Sequence, residues 1–118
     1  LTVVFDYSSV KDEEVDEEGA VGVTVRWLID RRLGADKFAM RMFEFQPGGH
    51  TALHSHPWEH EVYVLEGQGV VLADGRRYEI QAGTVVYVPP NEPHQFRNEG
   101  RSVLRILCLI PMEGCVGR

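Results

Sequence analysis

Apolar and polar residues alternate with a period of two along most of this chain, the mark of strands with one buried face. Residues 21–29, VGVTVRWLI, are β-branched and alternate cleanly. Residues 37–46, KFAMRMFEFQ, alternate again before Pro47-Gly48-Gly49 closes the segment. Further strands are predicted over 61–66, 70–73, 76–80, 84–88, 95–97 and 102–110. Glycine and proline punctuate them, and Asp74-Gly75 is a strong hairpin signal. Residues 1–7 alternate weakly and predict an edge strand, 31–36 a turn, and 111–118 a tail. No internal repeat and no helical period interrupts the series. About ten short strands at regular spacing predict an all-β sandwich or barrel.

At 118 residues the chain is expected to form one domain. A chain of that size buries roughly 65% of its unfolded surface, enough for a core without staples. No apolar run approaches the ~20 residues of a membrane span, and no segment reads as a signal peptide. Cys108 and Cys115 have neither metal nor redox spacing, which suits reduced thiols and a cytoplasmic location. Net charge is −6, and six acids of that balance sit in KDEEVDEE at 11–18. Such a run is expected to be a solvated loop. The remainder is close to neutral and shows no basic patch interleaved with aromatics, which argues against nucleic acid.

The chemistry is concentrated in GGHTALHSHPWEHEVYVLEG, residues 48–67. His50, His54, His56 and His60 fall there, four of the five histidines in the chain. Side chains two apart on an extended segment share a face, so His54 and His56 can reach one point. Pro57 breaks that segment and Trp58-Glu59 turn the chain, placing His60 at the start of a returning strand. His94 follows a proline-rich turn, PPNEP, that is expected to bring it back to the same place. Imidazole suits Zn, Cu, Fe and Ni. Each ring binds in its neutral form, so affinity is expected to fall as pH drops below roughly 6.

Gly48, His54, His56, His60 and Gly67 succeed one another at spacings that resemble the first motif of the cupin superfamily, with His60 where a glutamate is usual. Gly83, Pro89, Asn91, His94 and Asn98 resemble the second motif, with Asn91 where glycine is usual. HSHPWEHEVYVLEG is similar to small single-domain cupins whose metal is held by four histidines. The resemblance implies a double-stranded β-helix, or jelly-roll, cupin barrel over residues 1–118. Residues 1–20 would supply an N-terminal strand and the acidic loop, and 111–118 a C-terminal tail. It implies His54, His56, His60 and His94 as ligands of one divalent ion. Mn or Fe is favoured, with Zn, Ni or Cu as alternatives. The family spacing also admits Glu61 as third ligand. The distance to Gly67, with Val62 and Val64 sharing the face of His60, favours the histidine and leaves Glu61 as runner-up. His50 is expected at the rim as a non-ligand.

Arg41 interrupts FAMRMFEF on the face of Phe43 and Phe45. Period two allows that face to be outward or inward. The resemblance implies an inward arginine, placed to clamp a carboxylate or enolate beside the metal. Leu104, Ile106, Cys108 and Ile110 share another face as core, with Cys108 a candidate pocket wall. Trp58 reads equally as a lid or as a packed turn.

Two functions fit these residues. One is a metal-dependent enzyme, oxygenase-like or acting by Lewis-acid chemistry, on a small anionic or oxygen-bearing molecule. The other is a non-catalytic small-ligand-binding or sensing cupin with a structural metal. A homodimer involving residues 1–29 is expected, since exposed edge strands invite pairing.

Overall fold

The computed structural model describes residues 1–115. Nine strands succeed one another among them: β1 (Glu13–Glu14), β2 (Val21–Ile29), β3 (Phe38–His50), β4 (His60–Glu66), β5 (Gln68–Ala73), β6 (Arg76–Gln81), β7 (Val85–Val88), β8 (His94–Arg97) and β9 (Leu104–Pro111). They form one curled antiparallel sheet in the order β6-β5-β8-β3-β9-β4-β7, with β2 on β3 and β1 on β2. This is the expected all-β jelly roll. No helix of the described residues is long and apolar enough to cross a membrane.

Alternation in the sequence becomes sidedness in the sheet. In β9, Leu104, Ile106, Cys108 and Ile110 are buried and their neighbours are half-buried. In β4, His60, Val62 and Val64 turn inward while Glu61, Tyr63 and Leu65 are exposed. Phe45, Val88 and Phe96 complete the core from β3, β7 and β8. At Gly67, φ is +83°, and any Cβ there would collide with the Val103 carbonyl, so the β4–β5 turn admits only glycine. Asn91 also lies in the left-handed region at φ 67°. Asparagine is the residue that best replaces glycine in that conformation, which accounts for the motif's departure. Buried Asn98 ties the turn after β8 together. Its Nδ2 donates to the carbonyls of Phe45 and Ser102, both at 2.9 Å, and its Oδ1 accepts from the Gly100 N–H.

Three segments differ from expectation. Residues 1–7 form no strand: the stretch to Asp6 is irregular, and a single 3-10 turn follows at Tyr7–Ser9. β3 continues through Pro47-Gly48-Gly49 to His50, because Gly48 adopts positive φ and Gly49 lets the β2 backbone approach at Gly22. Of the expected tail, Pro111 ends β9, Met112–Gly114 is a 3-10 turn, and Cys115 is buried. Residues 116–118 lie outside the described residues.

Candidate metal centre

Two backbone hydrogen bonds join the halves of the site. His54 N–H donates to the His94 carbonyl at 3.2 Å, and His94 N–H donates to the His54 carbonyl at 2.9 Å. Residues that exchange both bonds stand directly opposite in an antiparallel pair, with side chains on one face. A further bond, from Asn91 N–H to the His56 carbonyl at 2.7 Å, fixes the PPNEP turn against the histidine segment. His60 and His94 then enter as the first residues of β4 and β8.

Four imidazoles meet at the result. His54, His56 and His94 offer ring nitrogens that all lie within 4.8 Å of one another. The His60 ring packs against two of these, with centroids 4.6 Å from His56 and 5.0 Å from His94. Its Nε2 faces His56 Nε2 at 3.2 Å. The other nitrogen of three rings is held from behind. His54 Nδ1 donates to Glu17 Oε1 at 2.7 Å, His94 Nδ1 donates to the Glu92 carbonyl at 2.9 Å, and His60 Nδ1 lies 3.3 Å from Cys108 Sγ. A ring that donates through Nδ1 keeps its Nε2 lone pair for a metal. The donor set therefore fits a divalent ion.

Burial sets the protonation. It pushes His56 down to about 4, and the proximity of the His54 and His94 rings adds to the shift. It pushes His60 down to about 2, with Arg41 adding to the shift. His94 is lowered by burial too. These rings stay neutral near pH 7, the form that ligates metal. Burial raises the Cys108 thiol, which stays protonated.

The rings open on a cavity of about 630 Å³ with walls from Trp27, Phe43, Phe96 and Ile106. Arg41 points into it. Its guanidinium lies 4.7 Å from the Phe43 ring centroid and 5.4 Å from that of Trp27. One Nη is 3.2 Å from Cys108 Sγ and 3.4 Å from His60 Nδ1. Its Nε is buried with no hydrogen-bond partner among the described residues. Trp58 is both wall and packed turn: it stacks on His56 at 4.5 Å and 6°, and Gly114 lies against its indole. His50 stands apart, its Nδ1 3.1 Å from the Thr51 carbonyl, and Glu61 is exposed on the outer face.

A profile of the family described as Cupin domain matches residues 41–110, which carry His54, His56, His60, His94 and Arg41. The chain belongs to the cupin family. The polyketide cyclase RemF of Streptomyces resistomycificus resembles this cupin at a TM-score of 0.90 and 38% identity, over 95% of this chain and 80% of that one. The polyketide synthase CurC of Streptomyces cyaneus is 33% identical over 97 residues, 80% of this chain and 63% of that protein. An oxalate-binding protein of Thermotoga maritima is 37% identical over 65 residues, 54% of each. The chain spans about half the length of the curated relatives it matches first.

One contributor escaped the sequence reading. The acidic run at 11–18, expected as a solvated loop, borders the cavity through β1 and Glu17. Val15, its single apolar residue, packs on the core and was the one available signal.

Proposed function

We propose that this cupin holds a divalent metal with His54, His56, His60 and His94 and closes a ring in a poly-β-ketone by intramolecular aldol condensation. The observation that carries the proposal is Arg41, a cation with no carboxylate partner among the described residues, beside four imidazoles in an aromatic-walled cavity. Similarity to a polyketide cyclase over nearly the whole chain supports the substrate class. So does similarity to a polyketide synthase component.

The metal would supply Lewis acidity toward a β-dicarbonyl oxygen. The residues do the rest. Arg41 donates charge-assisted hydrogen bonds to oxygen as negative charge collects there. Metal ligation through His60 Nε2 requires its proton on Nδ1, where Cys108 Sγ accepts it. A proton there ends the Nη contact to His60 and frees that N–H for the substrate. Trp27, Phe43 and Phe96 exclude water and hold the flexible chain folded, so reacting carbons meet at high effective concentration. A carbon α to two carbonyls loses a proton and attacks a distant ketone carbon. That proton returns to the resulting alkoxide, and water leaves as the ring becomes aromatic. The sequence balances without an oxidant, which separates it from oxygenase chemistry.

A cavity of this size suits a drug-sized, largely apolar molecule better than a small dianion such as oxalate. The test is anaerobic incubation of metal-loaded protein with a synthetic poly-β-ketone thioester, followed by mass spectrometry. A product lighter by one water with a new aromatic absorption is expected. Recovery of unchanged substrate, with tight binding alone, would favour the sensing role.

A further inference from the structure

We propose that Glu17, carried on the acidic strap, is a positioning residue that holds His54 in the tautomer whose Nε2 faces the metal. This rests on the metal reading of the four histidines and is independent of the ring-closing chemistry.

Of the three rings held through Nδ1, His54 alone is held by a carboxylate. It also needs that hold, since its side chain is 28% exposed whereas His60 and His94 are buried residues. A half-exposed imidazole with no partner would rotate and exchange tautomers in water. A carboxylate accepting from Nδ1–H fixes the ring plane, keeps the proton off Nε2 and strengthens Nε2 as a donor. The Glu92 carbonyl does the same for buried His94.

The strap is built to deliver that carboxylate. Glu13 and Glu14 pair with Val25 and Thr24, Val15 N–H donates to the Val23 carbonyl at 3.0 Å, and the Val15 side chain packs on the core. Ala20 N–H then donates to the Glu17 carbonyl at 3.0 Å, closing a turn whose Gly19 has φ +94°. A Cβ at Gly19 would stand 3.4 Å from that of Ala52, a buried residue two before His54. The strap turn and the histidine segment are thus packed together, and Glu17 bridges them. Glu17 and its neighbour Glu18 are both exposed acids, and Glu17 is the one hydrogen-bonded to His54.

The experiment has two readouts on the full chain, stripped of metal at pH 8. In ¹⁵N NMR of the imidazoles, His54 should be the Nδ1–H tautomer in wild type and a mixture in Glu17→Gln. In a chelator competition with Zn(II) alone, Glu17→Gln should weaken affinity about ten- to a hundredfold. Glu18→Gln should change it less than about threefold, and the metal-free melting temperatures of all three proteins should agree. An unaltered His54 tautomer in Glu17→Gln overturns the proposal. Equal losses in Glu17→Gln and Glu18→Gln also overturn it, reducing the effect to bulk charge. A wild type that binds no ion sinks the metal reading itself, and this proposal with it.

Discussion

His54 and His94 exchange both backbone hydrogen bonds across the cavity mouth, although a whole β-hairpin and two further strands separate them in the chain. The pair fixes which way both imidazoles point before any side-chain interaction acts. Site geometry therefore depends on sheet register, and register depends on the small set of turns around it.

Asn98 is the most exposed point of that dependence in energetic terms. Its amide satisfies the buried Phe45 carbonyl, the Ser102 carbonyl and the Gly100 N–H at the turn following β8. Asn98→Ala leaves these without partners, at about 1–3 kcal/mol for each buried group left unpaired. We expect the midpoint of urea unfolding to drop with an unchanged slope. A variant as stable as wild type would mean water replaces the amide.

Arg41 separates ligand binding from metal binding. Arg41→Leu should weaken an enolate-like inhibitor about ten- to a hundredfold, the worth of one charge-assisted hydrogen bond, while metal content stays constant. Arg41→Lys keeps the charge without the planar fork and should recover part of the loss. Calorimetry on metal-loaded protein reads both. Unchanged inhibitor affinity in Arg41→Leu would remove Arg41 from the chemistry.

Metal-free protein should lose stability as pH falls. His56, His60 and His94 have folded values below the ordinary 6.5, so under acid the unfolded chain binds protons that the folded chain refuses. Stability is then highest above pH 6.5 and declines below it, down to about 4 for His56 and about 2 for His60. Melting curves of chelated protein at pH 7.5, 6.0 and 5.0 should step downward. A flat profile would contradict burial of neutral rings.

Self-association is expected through the N-terminal segment. Leu1, Val3, Val4 and Phe5 are exposed apolar residues, and Phe38, Tyr63, Val85 and Tyr87 form a second exposed set on the sheet. Light scattering at micromolar concentration should give a dimer mass, and removal of residues 1–6 should shift it toward monomer. A monomeric mass for the full chain would count against this arrangement.

Most strands were legible because burial has the same period as the backbone. Val21–Ile29 matches its predicted bounds, and inward His60, Val62 and Val64 follow from parity alone. Parity did not decide the direction of Arg41; the cavity did, by placing its guanidinium between Phe43, Trp27 and Cys108. Residues 1–7 alternate but find no strand partner among the described residues, since pairing is a tertiary property. Glu17 was hidden for a related reason. Acids in a run look alike in sequence, and only packing of Val15 and the Gly19 turn selects the one that meets His54.

The central claim is a four-histidine metal centre, and elemental analysis of purified and reconstituted protein tests it most directly. The account predicts one divalent ion per chain in wild type and in His50→Ala and Glu61→Gln. It predicts loss of stoichiometric metal in His54→Ala, His56→Ala, His60→Ala and His94→Ala. A wild type without stoichiometric metal, or a His60→Ala variant of full affinity beside a Glu61→Gln variant that has lost it, would contradict the account.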